Sequence, residues 1–142
     1  MIVVDTSVWI AGFGCASAPE GGVLRALLDA DEVLLAVPVR VELLSGASNA
    51  DRLRLRRALS ALPILYPSDH TWTLIDAWIE RSGRRGQRFG LGDLLIGALA
   101  TEIGALVWSL DTDFARMEEL ALVQRYEPQY GEPTAPSKTP RR

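Results

Sequence analysis

The sequence predicts an α/β fold in which the strands of a parallel sheet alternate with helices. Three short apolar runs are typical of buried strands, and stretches with helical spacing of apolar residues separate them. The runs are Ile2 to Val4, Val33 to Val37 and Ala105 to Trp108. Because parallel strands end at one edge of their sheet, where the following helices begin, polar residues at these points are expected to lie together.

Seven helix-like segments accompany these runs. Pro38 suits the first position of a helix, and Ser68 suits an N-cap. An apolar and aromatic stripe in the fifth segment predicts burial in the core or at an interface, in preference to a cofactor site. The stripe consists of Trp72, Ile75, Trp78 and Ile79. The segments span residues 7–13, 20–30, 38–46, 51–62, 68–85, 91–103 and 112–120.

The composition is that of one ordinary globular domain: 142 residues, 48% of them hydrophobic and 23% charged. No apolar run approaches the roughly 20 residues needed to cross a bilayer, and no secretory signal is evident, so a cytoplasmic location is expected. The lone Cys15 cannot form an internal disulfide, and the single His70 argues against a multi-histidine zinc site. We expect one domain over residues 1–127 and a disordered, proline-rich tail over residues 128–142.

Four acidic residues fall at the predicted sheet edge, namely Asp5, Glu42, Asp93 and Asp111. Two of them follow strands, and the other two lie in early turns of helices. Four unpaired carboxylates at one place repel one another, and a divalent cation relieves that repulsion. The set therefore predicts metal-assisted phosphodiester cleavage.

Each acid also has a purely structural interpretation. Asp5 suits a helix cap, Asp93 suits the positive end of a helix dipole, and Glu42 suits an exposed helix surface. The hydroxyl groups of Thr6 and Ser7 beside Asp5 favour a metal site, because they can order the water shell of an ion.

Two aspartates share the loop after the third apolar run. They are Asp111 and Asp113, and they come just before Phe114. One of the two is expected to cap the next helix while the other faces the metal. We assign Asp111 to the metal.

Arginine supplies all but one of the basic residues, although the net charge is −3. Two clusters result: Arg52, Arg54, Arg56 and Arg57, and then Arg81, Arg84, Arg85 and Arg88. Arginine suits bidentate phosphate contacts, so either cluster is a candidate for holding an RNA backbone. A solvated helix face is the alternative interpretation.

Four segments of the chain resemble the PIN-domain ribonucleases, in particular the VapC toxins of bacterial toxin–antitoxin pairs. They are IVVDTSVW at residues 2–9, VELLSG at 41–46, GDLLIGALA at 92–100 and SLDTDF at 109–114. The resemblance covers residues 1–127. It implies a three-layer α/β/α fold with a central, mainly parallel sheet of four or five strands.

The resemblance also implies a site. Mg²⁺ or Mn²⁺ would be bound by Asp5, Glu42, Asp93 and Asp111. Ser109 would orient water or a carboxylate. Leu110 stands where relatives often carry a polar or basic residue, which argues against a phosphate contact there.

The implied activity is that of a toxin which hydrolyses RNA through metal-activated water, leaving 3′-hydroxyl and 5′-phosphate ends. A small cognate antitoxin would cover the acidic edge and place an arginine among the carboxylates. A homodimer through apolar helix faces is also implied, with Trp72 and Trp78 as contributors.

Two other functions are consistent with parts of the sequence. A catalytically silent RNA- or protein-binding module of the same fold predicts loss of an acid, and all four are present. An enzyme with an aspartyl nucleophile at Asp5 usually carries a second aspartate two residues on, where this chain has Ser7. That second enzyme class also lacks its usual amine partner, because no lysine precedes Lys138.

Overall fold

The computed structural model describes residues 1–14 and 17–131, and within them seven helices flank a four-stranded parallel sheet. The strands are β1 (Ile2–Val4), β2 (Val33–Ala36), β3 (Ile64–Leu65) and β4 (Leu106–Trp108). The helices are α1 (Thr6–Gly14), α2 (Pro19–Asp29), α3 (Val37–Gly46), α4 (Asn49–Leu59), α5 (Asp69–Arg84), α6 (Leu91–Glu102) and α7 (Thr112–Glu119). The predicted α/β fold is confirmed.

The strand order is β3-β2-β1-β4, and every neighbouring pair is parallel. Val3 pairs with Leu34 on one side and with Val107 on the other, so β1 is central. The chain moves outward from β1 to β3 and then returns to the far side of β1 as β4. This reversal creates a topological switch point between β1 and β4, where open α/β sheets bind ligands beyond the carboxyl ends of the strands.

The strand β3 is absent from the sequence-based prediction. It contains only Ile64 and Leu65, and Pro63 and Pro67 frame it closely, so no apolar run of strand length marks it. The second strand ends one residue earlier than predicted, because Val37 already belongs to α3.

Helix α6 is buried around most of its circumference, and it packs closely against its neighbours. A Cβ atom added to Gly97 would lie 2.9 Å from Met117 Cε, 3.0 Å from Val123 Cγ1 and 3.2 Å from Trp78 Cζ3. Glycine is therefore the residue that this packing admits. The close fit fixes the position of α6 and, with it, Asp93 in the first turn.

A second glycine contact joins α1 to α2. A Cβ atom on Gly21 would lie 2.7 Å from the carbonyl oxygen of Gly12, which belongs to the backbone and cannot turn aside. The two helices meet at this point without intervening side chains. Helix α1, which follows Asp5 directly, is thereby held against α2.

The aromatic stripe of α5 divides between core and surface. Ile75 and Trp78 are buried, whereas Trp72 is 46% exposed and Ile79 is 54% exposed. Ser68 is the N-cap of this helix, as predicted. Among the described residues, no helix combines the length and the apolar character needed to span a bilayer. Cys15 and most of the predicted tail, residues 132–142, lie outside the described residues.

Candidate metal centre

Asp5 lies at the carboxyl end of β1 and is held by two serine hydroxyls. Ser7 Oγ and Ser109 Oγ each donate a hydrogen bond of 2.7 Å to Oδ2 of Asp5. Asp5 is only 6% exposed, and its Oδ1 atom has no hydrogen bond within residues 1–14 and 17–131. One oxygen is thus fixed by donors, while the other remains available to a cation.

The same hydroxyls accept backbone hydrogen bonds from the loop after β4. The N–H of Leu110 donates to Ser7 Oγ at 3.0 Å, and the N–H of Asp111 donates to Ser109 Oγ at 2.9 Å. Each serine hydroxyl therefore donates a hydrogen bond to Asp5 and accepts one from the loop. These bonds tie the carboxyl ends of β1 and β4 together at the switch point.

Asp93, Asp111 and Asp113 form a compact group of carboxylates. One oxygen of each lies within 4.8 Å of the oxygens of the other two. The expected division of labour, with Asp113 as the cap of α7, was wrong: Asp111 is the N-cap, and its Oδ1 accepts a 2.9 Å hydrogen bond from the N–H of Asp113. Because a cap and the first helical turn are adjacent, both carboxylates come to lie beside Asp93.

The surroundings of Asp93 raise its pKa. Burial makes the largest contribution, followed by a hydrogen bond shared with Asp113 and by the negative charges of Asp111 and Asp5. Together these effects raise the pKa of Asp93 to about 7. A carboxyl group that resists ionisation for these reasons is stabilised in its charged form by a cation beside it.

Arg116 anchors the outer side of the group, and sequence analysis missed it. Its Nη2 donates to Asp113 Oδ1 at 2.5 Å, its Nη1 donates to Gln87 Oε1, and its guanidinium carbon lies 4.7 Å from the centre of the Phe89 ring. The Arg116 guanidinium holds the pKa of Asp113 below its ordinary value. The available signal was the three-residue spacing from Asp113 to Arg116, which suits a helical ion pair.

Glu42 and Thr6 occupy the margin of the centre. Glu42 is exposed on α3, and its Oε1 lies 3.4 Å from the position that a Cβ atom would take on Gly92, so its carboxylate borders the start of α6. Thr6 was expected to act with Ser7, but its buried Oγ1 has no hydrogen-bond partner among the described residues. Only Ser7 of this pair contacts Asp5.

The arginine clusters differ in their contacts. Arg52 donates to the carbonyl oxygens of Leu44 and Ala47 and so joins α3 to α4. Arg54 and Arg84 form ion pairs with acidic residues one helical turn away. The side chains of the remaining members form no hydrogen bond or ion pair with any described residue: Arg56, Arg57, Arg81, Arg85 and Arg88.

The donor set suits a hard divalent cation. The polar side chains that converge on the switch point present carboxylate and hydroxyl oxygens, which are the ligands that Mg²⁺ and Mn²⁺ prefer. The free Oδ1 of Asp5 and the suppressed ionisation of Asp93 are both features that a bound cation would complete. The residues present therefore fit the predicted ion.

Comparisons with known proteins identify the family of the chain. A family model described as PIN domain matches residues 2–120. Ribonuclease VapC11 of Mycobacterium tuberculosis is 33% identical over 119 residues, which cover 80% of this chain and 89% of that protein.

Solved structures show the same fold. VapBC2 from Rickettsia felis, bound to a DNA fragment from its promoter, gives a TM-score of 0.71 at 18% identity and covers 89% of this chain and 98% of that chain. VapC20 of Mycobacterium tuberculosis, described as a toxin that cleaves the sarcin–ricin loop, gives a TM-score of 0.58 at 19% identity. This likeness covers 82% of this chain and 94% of that chain. The predicted three-layer fold is confirmed by these likenesses. By its family match and its sequence relatives, the chain belongs to the PIN-domain family, among the proteins of VapC type.

Proposed function

We propose that this protein is an endoribonuclease, the toxin of a toxin–antitoxin pair, and that it hydrolyses RNA phosphodiester bonds with Mg²⁺ or Mn²⁺ as cofactor. The observation that carries the proposal is the group of carboxylates formed by Asp93, Asp111 and Asp113, with Asp5 near enough for its charge to act on Asp93. The PIN-domain match and a relative named as a ribonuclease support the assignment of RNA as substrate.

In this proposal the chain holds the ion with Asp5, Glu42, Asp93 and Asp111. When bound, the ion supplies charge stabilisation for the phosphodiester and a water of lowered pKa. Ser7 and Ser109 donate to Oδ2 of Asp5, which leaves Oδ1 as the oxygen that would hold the ion. Asp93 would hold the ion in its ionised form.

Asp113 and Arg116 support these ligands from the side. Arg116 keeps Asp113 ionised, and the charged Asp113 accepts the hydrogen bond from Asp93 while Asp93 still carries its proton. Asp113 is thus a positioning residue, and its place beside Asp93 makes it the residue to compare with Asp111 in any test of the ligand set.

The test is cleavage of total cellular RNA by the purified protein with Mg²⁺ or Mn²⁺, with and without EDTA. Asp5→Asn and Asp93→Asn preserve side-chain shape, and we expect both to abolish cleavage. Asp29→Asn, an exposed acid at the end of α2, serves as the matched control and should cut like the wild type. The product ends should be 3′-hydroxyl and 5′-phosphate.

Two outcomes would contradict the proposal. Cleavage that persists in EDTA, or products with cyclic phosphate ends, would exclude hydrolysis by metal-activated water. A folded protein that binds Mn²⁺ and cuts no RNA would favour the catalytically silent binding module.

The partner is also part of the proposal. Solved structures of similar fold include VapBC and FitAB complexes, so we propose that a small antitoxin binds this chain and covers the acidic edge. We propose a cytoplasmic location as well, because the proposed RNA substrate would be met there. Co-expression with the protein of an adjacent small open reading frame should suppress the RNA cleavage.

A homodimer through apolar helix faces completes the proposal. Trp72 is exposed on α5 and is available to such an interface, whereas Trp78 is 5% exposed and packs in the core of its own chain. Trp78 therefore offers little surface to such an interface, because it is buried within its own chain.

A further inference from the structure

A hollow of about 420 Å³ lies between the last turns of α5 and the loop of residues 85–90. We call it the α5 hollow. Its walls are formed by Ile79, Ser82 and Gly83 of α5 and by Gln87, Arg88 and Phe89 of the loop. Leu94, the residue that follows Asp93, also lines it.

The hollow shares a wall with the metal centre. Gln87 and Phe89 line the hollow, and both contact the guanidinium group of Arg116. The same guanidinium group donates to Asp113 in the carboxylate group. A molecule seated in the hollow is therefore one layer of side chains away from the residues proposed to hold the ion.

Two features of the hollow call for a ligand with a polar edge and a flat apolar face. Ser82 is 2% exposed, and its hydroxyl has no hydrogen-bond partner among the described residues. Buried hydroxyls are rarely left unpaired. Around it lie the apolar surfaces of Ile79, Phe89 and Leu94, which suit the face of a ring.

The rim of the hollow is positively charged. Arg88 lines it, and Arg85 caps α5 three residues after Ser82. Neither arginine forms an ion pair with a described residue. Guanidinium groups without acidic partners complement phosphate. A wholly apolar occupant, such as a peptide side chain, would match the apolar walls and leave both this charge and the Ser82 hydroxyl unmatched.

We propose that the α5 hollow binds one nucleotide of single-stranded RNA adjacent to the phosphodiester that is cut, with its base against Ile79 and Phe89 and its phosphate at Arg88. This inference rests on the proposed function, because it assigns a subsite to that same reaction. If the inference is correct, the arginines at the end of α5 are part of the substrate-binding face and not only a solvated surface.

Gly83→Met is the variant that tests the hollow. Gly83 lines the hollow, and a Cβ atom there meets no other heavy atom within 4 Å, so a larger side chain can be placed at this wall without strain in the helix. Gly22→Met is the matched control, because Gly22 is an exposed glycine of α2 with equally open surroundings. Arg88→Gln is a second variant at an exposed position, where folding does not depend on the side chain.

The first readout is photochemical crosslinking of random oligoribonucleotides that contain 4-thiouridine to the whole protein in EDTA, with the crosslinked peptides mapped by mass spectrometry. We expect crosslinks within residues 79–94. Their yield should fall about ten-fold or more in Gly83→Met and Arg88→Gln and stay at the wild-type level in Gly22→Met. The second readout is RNA cleavage, where kcat/KM should fall by a similar factor while Mn²⁺ affinity is unchanged.

The two proposals fail separately. Crosslinks confined to other segments, or cleavage by Gly83→Met and Arg88→Gln with the kcat/KM of the wild type, would overturn the hollow as a nucleotide site and leave the nuclease standing. Crosslinks at residues 79–94 that respond to both variants, in a protein that cuts no RNA, would retain the hollow and overturn the nuclease.

Discussion

Two hydroxyl groups decide which oxygen of Asp5 is free. Both donate to Oδ2, and both are themselves fixed by backbone N–H groups of the loop after β4. Oδ1 is therefore presented in one orientation before any ion arrives. Preorganised ligands of this kind bind metal more tightly than ligands that must first be ordered.

Ser109→Ala tests this orientation. The substitution removes one of the two donors to Asp5 and the acceptor for the N–H of Asp111. We expect affinity for Mn²⁺, measured by isothermal titration calorimetry, to fall about ten-fold or more. Ser60→Ala, which removes an exposed hydroxyl at the end of α4, is the control and should bind as the wild type does. Equal affinities in the two variants would show that the hydroxyl does not position Asp5.

Arg116→Gln tests the support of Asp113. Without the guanidinium group the pKa of Asp113 rises towards its ordinary value, so the Asp93–Asp113 pair holds its shared proton more tightly. We expect the pH midpoint of Mn²⁺ binding to move upward by about one unit or less. Arg125→Gln removes an arginine that pairs with Glu118 and Glu127, away from the centre, and should leave the midpoint unchanged.

Sequence patterns placed some site residues well and others poorly. Asp5 and Asp93 could be located at the sheet edge, because the spacing of apolar residues in the sequence changes where a strand ends and where a helix begins. The roles of Asp111 and Asp113 could not be separated, because a helix cap and a cluster ligand require the same side chain in the same turn. Arg116 was invisible as a site residue, since its contact with Gln87 and Phe89 depends on tertiary packing.

Helix α6 carries Asp93 and has the most buried residues of the described helices. Its closeness to α5 and α7 depends on Gly97. The apolar run that follows Asp93 correctly predicted burial of this helix, but no pattern in the chain identifies which residues Gly97 faces. Element boundaries were predictable within a few residues where caps or prolines mark them, as at Ser68 and Pro38. The strand β3 was not predictable, because two residues are too few to show the side-chain alternation that marks a strand.

Gly97→Val should destabilise the protein. The added methyl groups force Met117, Val123 and the rigid ring of Trp78 to move, and overpacking of this kind costs about 1 to 3 kcal/mol. Thermal unfolding followed by circular dichroism should show a lower Tm. Gly83→Ala, in a helix position with open space, should raise the stability by up to about 1 kcal/mol. A Tm for Gly97→Val at or above that of the wild type would contradict the packing described for α6.

The stability of the whole chain should depend on pH through Asp93. The folded protein retains a proton on this group that the unfolded chain releases, between the ordinary pKa of 3.8 and about 7. Stability therefore falls as the pH rises through this window. In EDTA, Asp93→Asn should raise the Tm relative to the wild type at pH 8 and have a smaller effect at pH 5, where only part of this stability has been lost.

Addition of Mn²⁺ at pH 8 should make the Tm of the wild type higher than that of Asp93→Asn. An ion that binds only the folded state raises the Tm of the wild type, and Asp93→Asn should gain much less. Differential scanning calorimetry measures both effects, and Asp29→Asn again serves as the control. If the wild type and Asp93→Asn gained equally from Mn²⁺, Asp93 would not be a ligand.

The strand order has a consequence for the synthesis of the protein. Ser109 and Asp5 are separated by 104 positions in the chain, and yet they share a hydrogen bond. Asp93, Asp111 and Asp113 likewise come late in the sequence. A nascent chain on the ribosome therefore carries Asp5 and Glu42 long before the other carboxylates emerge, and it has no assembled centre during most of its translation. If the protein cuts RNA, the ribosome that makes it is shielded from it until β4 has taken its place beside β1.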